Sequence, residues 1–142
     1  MSELRIERSY DAPPERVFAA WTSPEVLRRW WAARPDWTSP EAEVDLRVGG
    51  RYRLAMSNTE GETHVVGGVY TEVAPPERLA YTWAWEEDAS SESHVTVEFR
   101  GDGGRTTVVI THAGFTSERL RDEHASGWDG CLDNLGRRVL EA

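Results

Sequence analysis

The chain has 142 residues, a formal charge of −9 at pH 7, seven tryptophans, a single cysteine and no lysine, all sixteen basic residues being arginine. That length suits one domain with a real core, and the negative charge argues against nucleic acid or an anionic membrane as partner. The absent lysine excludes a Schiff-base or Walker-type lysine, and the lone Cys131 excludes an internal disulfide and a multi-cysteine zinc site.

The opening "MSELRIERSYDAPPERVF" carries charges from its third residue and lacks the apolar stretch of a secretory signal. No apolar run is long enough to span a bilayer, so a cytoplasmic protein is expected. "ELRIERSY" alternates apolar and charged residues and reads as a strand. "DAPPERVFAAW" starts a short helix with prolines in its first turn, its apolar face made by Val17, Phe18 and Trp21. "TSPEVLRRWW" starts a second, with Ser23 as N-cap and Pro24 at the first helical position. "AARPDWTSP" is a loop.

Six strands follow. After "EAEVDLRV", Gly49–Gly50 mark a tight turn, and "RYRLAMS" sets Tyr52, Leu54 and Met56 on one face against Arg51 and Arg53 on the other. In "THVVGGVYTEV" the central Gly67–Gly68 predict a bulge or sharp bend. "LAYTWAW" aligns Leu79, Tyr81, Trp83 and Trp85, and the acidic Glu86, Glu87 and Asp88 read as a solvated loop. "HVTVEFR" and "RTTVVITH" complete the set, with His112 on the parity of Val108 and Ile110. From Thr116 onward a long amphipathic helix places Leu120, His124, Gly127, Trp128, Cys131, Leu135 and Val139 on one stripe, with Gly130 on its flank. Each glycine costs a helix interior about 1 kcal/mol relative to alanine. Gly127 therefore serves either close packing of helix on sheet or space for a ligand between them.

"APPERVFAAWTSPEVLRRWW", "DLRVGGRYRLAM", "GGVYTEVAPPERLAYTWAW", "THAGF" and "HASGWDGCLDNL", in that order, resemble bacterial proteins related to the C-terminal domain of the activator of the heat-shock-protein-90 ATPase. These belong to the wider START-like, birch-pollen-allergen-like (SRPBCC) superfamily. The resemblance runs over nearly the whole chain and implies one START-like domain over residues 1–142. The implied fold is α+β, the helix-grip fold: a curved seven-stranded antiparallel sheet wrapped around a long C-terminal helix, with two short helices between the first two strands. It further implies an apolar cavity between sheet and helix, a feature that in this superfamily serves lipids, sterols, flavonoids or polyketides.

On this basis the expected ligand-binding residues are Trp31, Trp37, Tyr52, Met56, Tyr81, Trp83, Trp85, His112, His124, Gly127, Trp128 and Cys131. Each also has a plainer reading as core, and Trp31 and Trp37 either gate the cavity entrance or staple the short helices to the sheet. His64 and His94 lie near strand starts, where exposed histidines are common. Arg47 is assigned a structural ion pair with Asp45 or Glu43. His124 is the weak candidate for a catalytic acid or base. No nucleophile motif, cofactor glycine motif or helical metal-ligand spacing appears, so no cofactor and no metal are expected. The expected partner is a small hydrophobic or aromatic molecule, with no nucleic acid and no membrane, bound by a monomer or homodimer. The alternatives are a cyclase, dehydratase or hydrolase using the cavity histidine, and a chaperone co-factor-like interaction module.

Overall fold

The structure, a computed structural model, describes residues 2–141 and, within them, all side chains except those of 89–91. Alternation along the first segment gives β1 (Ser2–Tyr10), with Leu4 and Tyr10 buried. Helices α1 (Pro14–Thr22) and α2 (Pro24–Trp30) follow. Ser23 occupies the N-cap position of α2, but its hydroxyl makes no capping bond there. The strands β2 (Ala42–Val44), β3 (Arg51–Ser57), β4 (Thr63–Ala74), β5 (Arg78–Trp85), β6 (Asp88–Asp102) and β7 (Arg105–Phe115) then run in succession. The last helix, α3 (Glu118–Leu135), starts at Ser117, whose side chain accepts from the Leu120 amide, and finishes in a wider π-type turn, Gly136–Leu140.

The seven strands form one antiparallel sheet in the order β1-β7-β6-β5-β4-β3-β2. Consecutive strands pair except that β1 closes onto β7, as the helix-grip expectation requires. The inner face is apolar: Tyr52, Leu54, Met56, Tyr81 and Trp83 are all buried, while Arg53 on the outer face pairs with Glu41 and Glu86. The predicted Arg47–Asp45 ion pair is present at the β2–β3 turn. No helix among the described residues is long and apolar enough to cross a membrane.

Three local expectations change. The register is continuous through Gly67–Gly68 and slips instead between Tyr70 and Glu72. What Gly68 supplies is clearance, because a Cβ there would stand 2.1 Å from the Thr82 carbonyl oxygen. Tyr52, directly opposite Gly68, donates its hydroxyl to that same oxygen at 2.5 Å. The acidic cluster is an exposed turn at Glu86 and Glu87, tied to Arg53 and His64, but β6 begins already at Asp88, ahead of the strand expected from His94. Serine-rich sequence there lacks an apolar period, so pairing with β5 rather than patterning makes it a strand. Finally, Leu120 is 36% exposed and not part of the buried stripe, which begins at Trp128, about two turns later, and includes Leu132 and Asn134.

Helix α3 is fastened to the loop after α2. The amide of Asn134 donates to the carbonyls of Ala32 (2.9 Å) and Arg34 (3.0 Å), and Arg138 reaches the carbonyls of Pro35 and Trp37. This close seating explains Gly130, where a Cβ would stand 1.8 Å from the Ala33 carbonyl oxygen. Gly127 differs: a Cβ there meets only the Ala33 methyl, at 3.9 Å. Gly130→Ala is therefore expected to destabilise by about 2 kcal/mol, backbone clash outweighing the gain in helix propensity. Gly127→Ala, free of that clash, is expected to be neutral or stabilising by up to about 1 kcal/mol. Urea titration of both variants measures the difference.

Candidate functional site

The concave face divides into two halves. Under α1 and α2 it is filled: Tyr52, Tyr70 and Tyr81 pack ring against ring with centroids 5.0–6.0 Å apart, and Trp21 donates to the Tyr81 hydroxyl at 3.3 Å. Under the middle of α3 it is not. There a cavity of about 270 Å³ opens between β3, β4, β5, the loop after α2 and α3. Its walls are Trp31, Ala33, Trp37, Met56, Trp83, Trp85, His124, Gly127, Trp128 and Cys131, and His64, Glu87 and Glu123 complete the lining.

Each wall residue has a cause in the fold. Alternation along β5 turns Trp83 and Trp85 inward together, and Met56 comes from β3 on the same face. Gly127, Trp128 and Cys131 follow at helical spacing. Trp31 and Trp37 are carried by the loop that Asn134 and Arg138 stitch to the helix. Trp31 packs edge-on against Trp83 (5.8 Å) and Trp128 (5.4 Å). Its neighbour Trp30 belongs to the core, with no exposed surface and its N–H bonded to the Ala20 carbonyl.

Two histidines sit behind and beside these rings, each taking a hydrogen bond from an indole. Trp128 donates to His112 Nδ1 at 3.1 Å, and Trp85 donates to His124 Nε2 at 3.0 Å. An indole N–H donates only, so both acceptor nitrogens are unprotonated. The remaining nitrogens then carry the protons: His112 Nε2 toward Ser93 Oγ (2.7 Å) and His124 Nδ1 toward the Leu120 carbonyl (2.8 Å). Burial is the largest cause that pulls both imidazoles below the usual histidine range, His112 to about 3, with His124 adding to the shift of His112. Burial likewise pushes the Cys131 thiol up to about 12, which leaves it a protonated, inert wall group.

Most of the expected residues therefore meet at one place, but Tyr52, Tyr81 and His112 do not reach the cavity. Tyr52 and Tyr81 belong to the filled half of the face, and His112, with no exposed surface, lies behind Trp83 and Trp128. Four lining residues lie outside the expected set. His64 lies directly opposite Met56 and shares the parity of the buried Val66, so register held the signal. Glu123 precedes His124 on the helix, Glu87 was absorbed into the acidic cluster, and Ala33 carries no pattern at all. Among the described residues no three His, Cys, Asp or Glu side chains gather as a metal site.

The neutral histidines fix a pH dependence. The unfolded chain takes up protons near the ordinary histidine pKa of about 6.5, whereas folded His112 resists them until far lower pH. Stability is thus full above about pH 6.5 and falls as pH drops below it. His112 alone is expected to remove about 2 kcal/mol between pH 6.5 and pH 5, with His124 acting in the same direction. Urea midpoints recorded at pH 7, 6 and 5 should fall steadily; a flat profile contradicts the neutral-histidine assignment.

Residues 11–139 match the family described as "Activator of Hsp90 ATPase homolog 1-like protein". Solved structures show the same fold over the whole chain. A protein from Chromobacterium violaceum is 26% identical, with 100% of this chain and 99% of that one covered and a TM-score of 0.86. An AHSA1 protein from Silicibacter pomeroyi is 28% identical, with 97% of each chain covered and a TM-score of 0.85. An AHSA1-like protein from Aeromonas hydrophila is 33% identical, with 97% and 92% covered and a TM-score of 0.80. No curated protein matches the chain.

Proposed function

The chain belongs to the activator of Hsp90 ATPase homolog 1-like family, and from that premise we propose that it binds a small apolar or aromatic molecule, of the size of a flavonoid or a small polyketide, in the cavity between the sheet and α3. The observation that carries this reading is the wall itself: five indole rings, Met56 and a helical glycine enclose about 270 Å³. Concave, aromatic-lined sites of this size are where compact apolar ligands are held, and rings fixed by packing on one another lose little freedom on binding. Gly127 deepens the space, since the position has room for a side chain that the sequence does not supply.

Binding is favoured over catalysis by the state of His124. Both its ring nitrogens are already bonded, to Trp85 and to the Leu120 carbonyl, and burial keeps it neutral. A general acid or base would have to break one of those bonds before it acted. The family name alone supplies no chaperone partner for this chain.

The test is a thermal-shift panel of flavonoids, aromatic polyketides, fatty acids and sterols on the wild type and on Gly127→Leu. At least one aromatic compound is expected to raise the wild-type melting temperature by several degrees, and the leucine side chain, projecting into the cavity, is expected to abolish the shift while the variant stays folded. A ligand that stabilises both proteins equally places its site elsewhere and refutes the reading.

A further inference from the structure

The two indole-to-imidazole bonds are not alike. Trp128 donates to His112, and both of these residues are buried. Trp85 donates to His124 Nε2 at 3.0 Å, and both of these residues line the cavity and are only half-buried. Trp85 is the last residue of β5, where the pairing with β6 slips between Trp83 and Trp85. Its indole is held at the wall by contacts with the rings of Trp83, His64 and His124 and by the hydrogen bond to His124.

That bond exists in one protonation state only. His124 Nδ1 carries its proton toward the Leu120 carbonyl at 2.8 Å, so the Trp85 donor takes the lone pair of Nε2. A second proton on the ring occupies that lone pair and sets one N–H against another, turning an attraction into a repulsion between two donors. The surroundings make His124 the member of the pair of histidines that takes a proton first. His112, 5.4 Å away on β7, is pulled down to about 3, chiefly by burial. Burial lowers His124 as well, but the Leu120 carbonyl and Glu123 on its own helix oppose it. Glu123 is itself paired with Arg119 and shares a separate surface groove with Arg34 of the loop after α2. On the sheet side of the cavity the titratable groups are His64 and Glu87, paired with each other at 3.0 Å.

We propose that His124 and Trp85 form a proton-operated gate on the cavity: a proton on His124 breaks the bond to Trp85, frees the indole from the wall and releases the ligand. This rests on the binding reading above and concerns the regulation of the same site. The ligand meets a complete wall only while His124 is neutral, so affinity is full above the pH at which His124 titrates and falls as pH drops through it. By linkage the bound ligand makes His124 harder still to protonate. The Trp128–His112 pair keeps its bond over the same range and holds the helix in place.

The test follows one titration by two readouts, with circular dichroism confirming a folded chain at each pH. The midpoint of His124 is taken from its ring-proton signal in the free protein. Affinity is taken from the fluorescence of N-phenyl-1-naphthylamine, an aromatic probe that stays uncharged from pH 8 to pH 4.5. Affinity is expected to be about half its pH 8 value at the His124 midpoint and about tenfold lower one pH unit below it, as one proton competing with the ligand requires. In His124→Gln, whose side-chain carbonyl can accept from Trp85 at every pH, affinity should stay within about twofold over the range. Without ligand, the Trp85 indole signal should broaden in a neutral gadolinium chelate once His124 is protonated, with buried Trp30 as the unchanged reference. The wild-type profile decides even where the variant fails to fold. An affinity that stays constant while His124 titrates overturns the gate and leaves the cavity as a binding site. A loss that persists in His124→Gln also overturns it, because another group such as His64 then takes the proton. Failure of the probe to bind at pH 8 counts against the cavity reading, and the gate is then judged on the free protein, where a Trp85 signal untouched by the titration of His124 overturns it.

Discussion

Helix α3 has to cover the concave apolar face of the sheet without filling it, and the contact that sets this balance is the seating of Gly130 on Ala33. A Cβ at residue 130 would stand 1.8 Å from the Ala33 carbonyl oxygen, so the helix rests on backbone at that point. Asn134 and Arg138 extend the seam with bonds to carbonyls on either side. Beyond the seam, two indole-to-imidazole bonds hold the upper part of the helix to the structure: Trp128 to His112 on β7, and Trp85 on β5 to His124. One end of α3 is thus seated on the loop by backbone contact. The other is held at the distance that two ring pairs dictate, and the cavity lies beneath it.

The same arrangement accounts for the uneven use of tryptophan. Packing seven indoles into a chain of this length buries N–H groups that must be provided for. Tyr81, the Ala20 carbonyl and two histidines provide for four of them. The histidines perform this task because they are neutral, and they are neutral because they are buried. Their role as acceptors explains why imidazoles stand in an apolar site without a carboxylate partner, and it ties the integrity of the site to pH.

Strand parity, the two short helices and the long final helix were legible in the sequence because each depends on a local period, two or 3.6 residues, that the apolar residues obey. Parity placed Met56, Trp83 and Trp85 on the inner face, and the helical stripe placed His124, Trp128 and Cys131. What periodicity does not encode is depth along the sheet. Tyr52 and Tyr81 share the parity of the cavity residues but lie in the filled half, a distinction made by where α1 and α2 pack. The division between Gly127 and Gly130 was equally invisible, since it depends on the loop at Ala33, whose path is set by bonds from residues a hundred positions away. Glu87 reached the cavity mouth through an irregular β5–β6 pairing that no pattern announces.

The account rests on the space beneath α3 being the place where a ligand is received. The most direct measurement is the indole region of a ¹⁵N–¹H correlation spectrum, with the seven N–H signals assigned one at a time by Trp→Phe substitution, recorded before and after adding the aromatic compound that most raises the melting temperature. The account predicts that on binding the signals of the tryptophans lining the cavity, Trp31, Trp37, Trp83, Trp85 and Trp128, move while those of Trp21 and Trp30 stay in place. Shifts confined to Trp21 and Trp30, or an unchanged spectrum at saturating ligand, would contradict it.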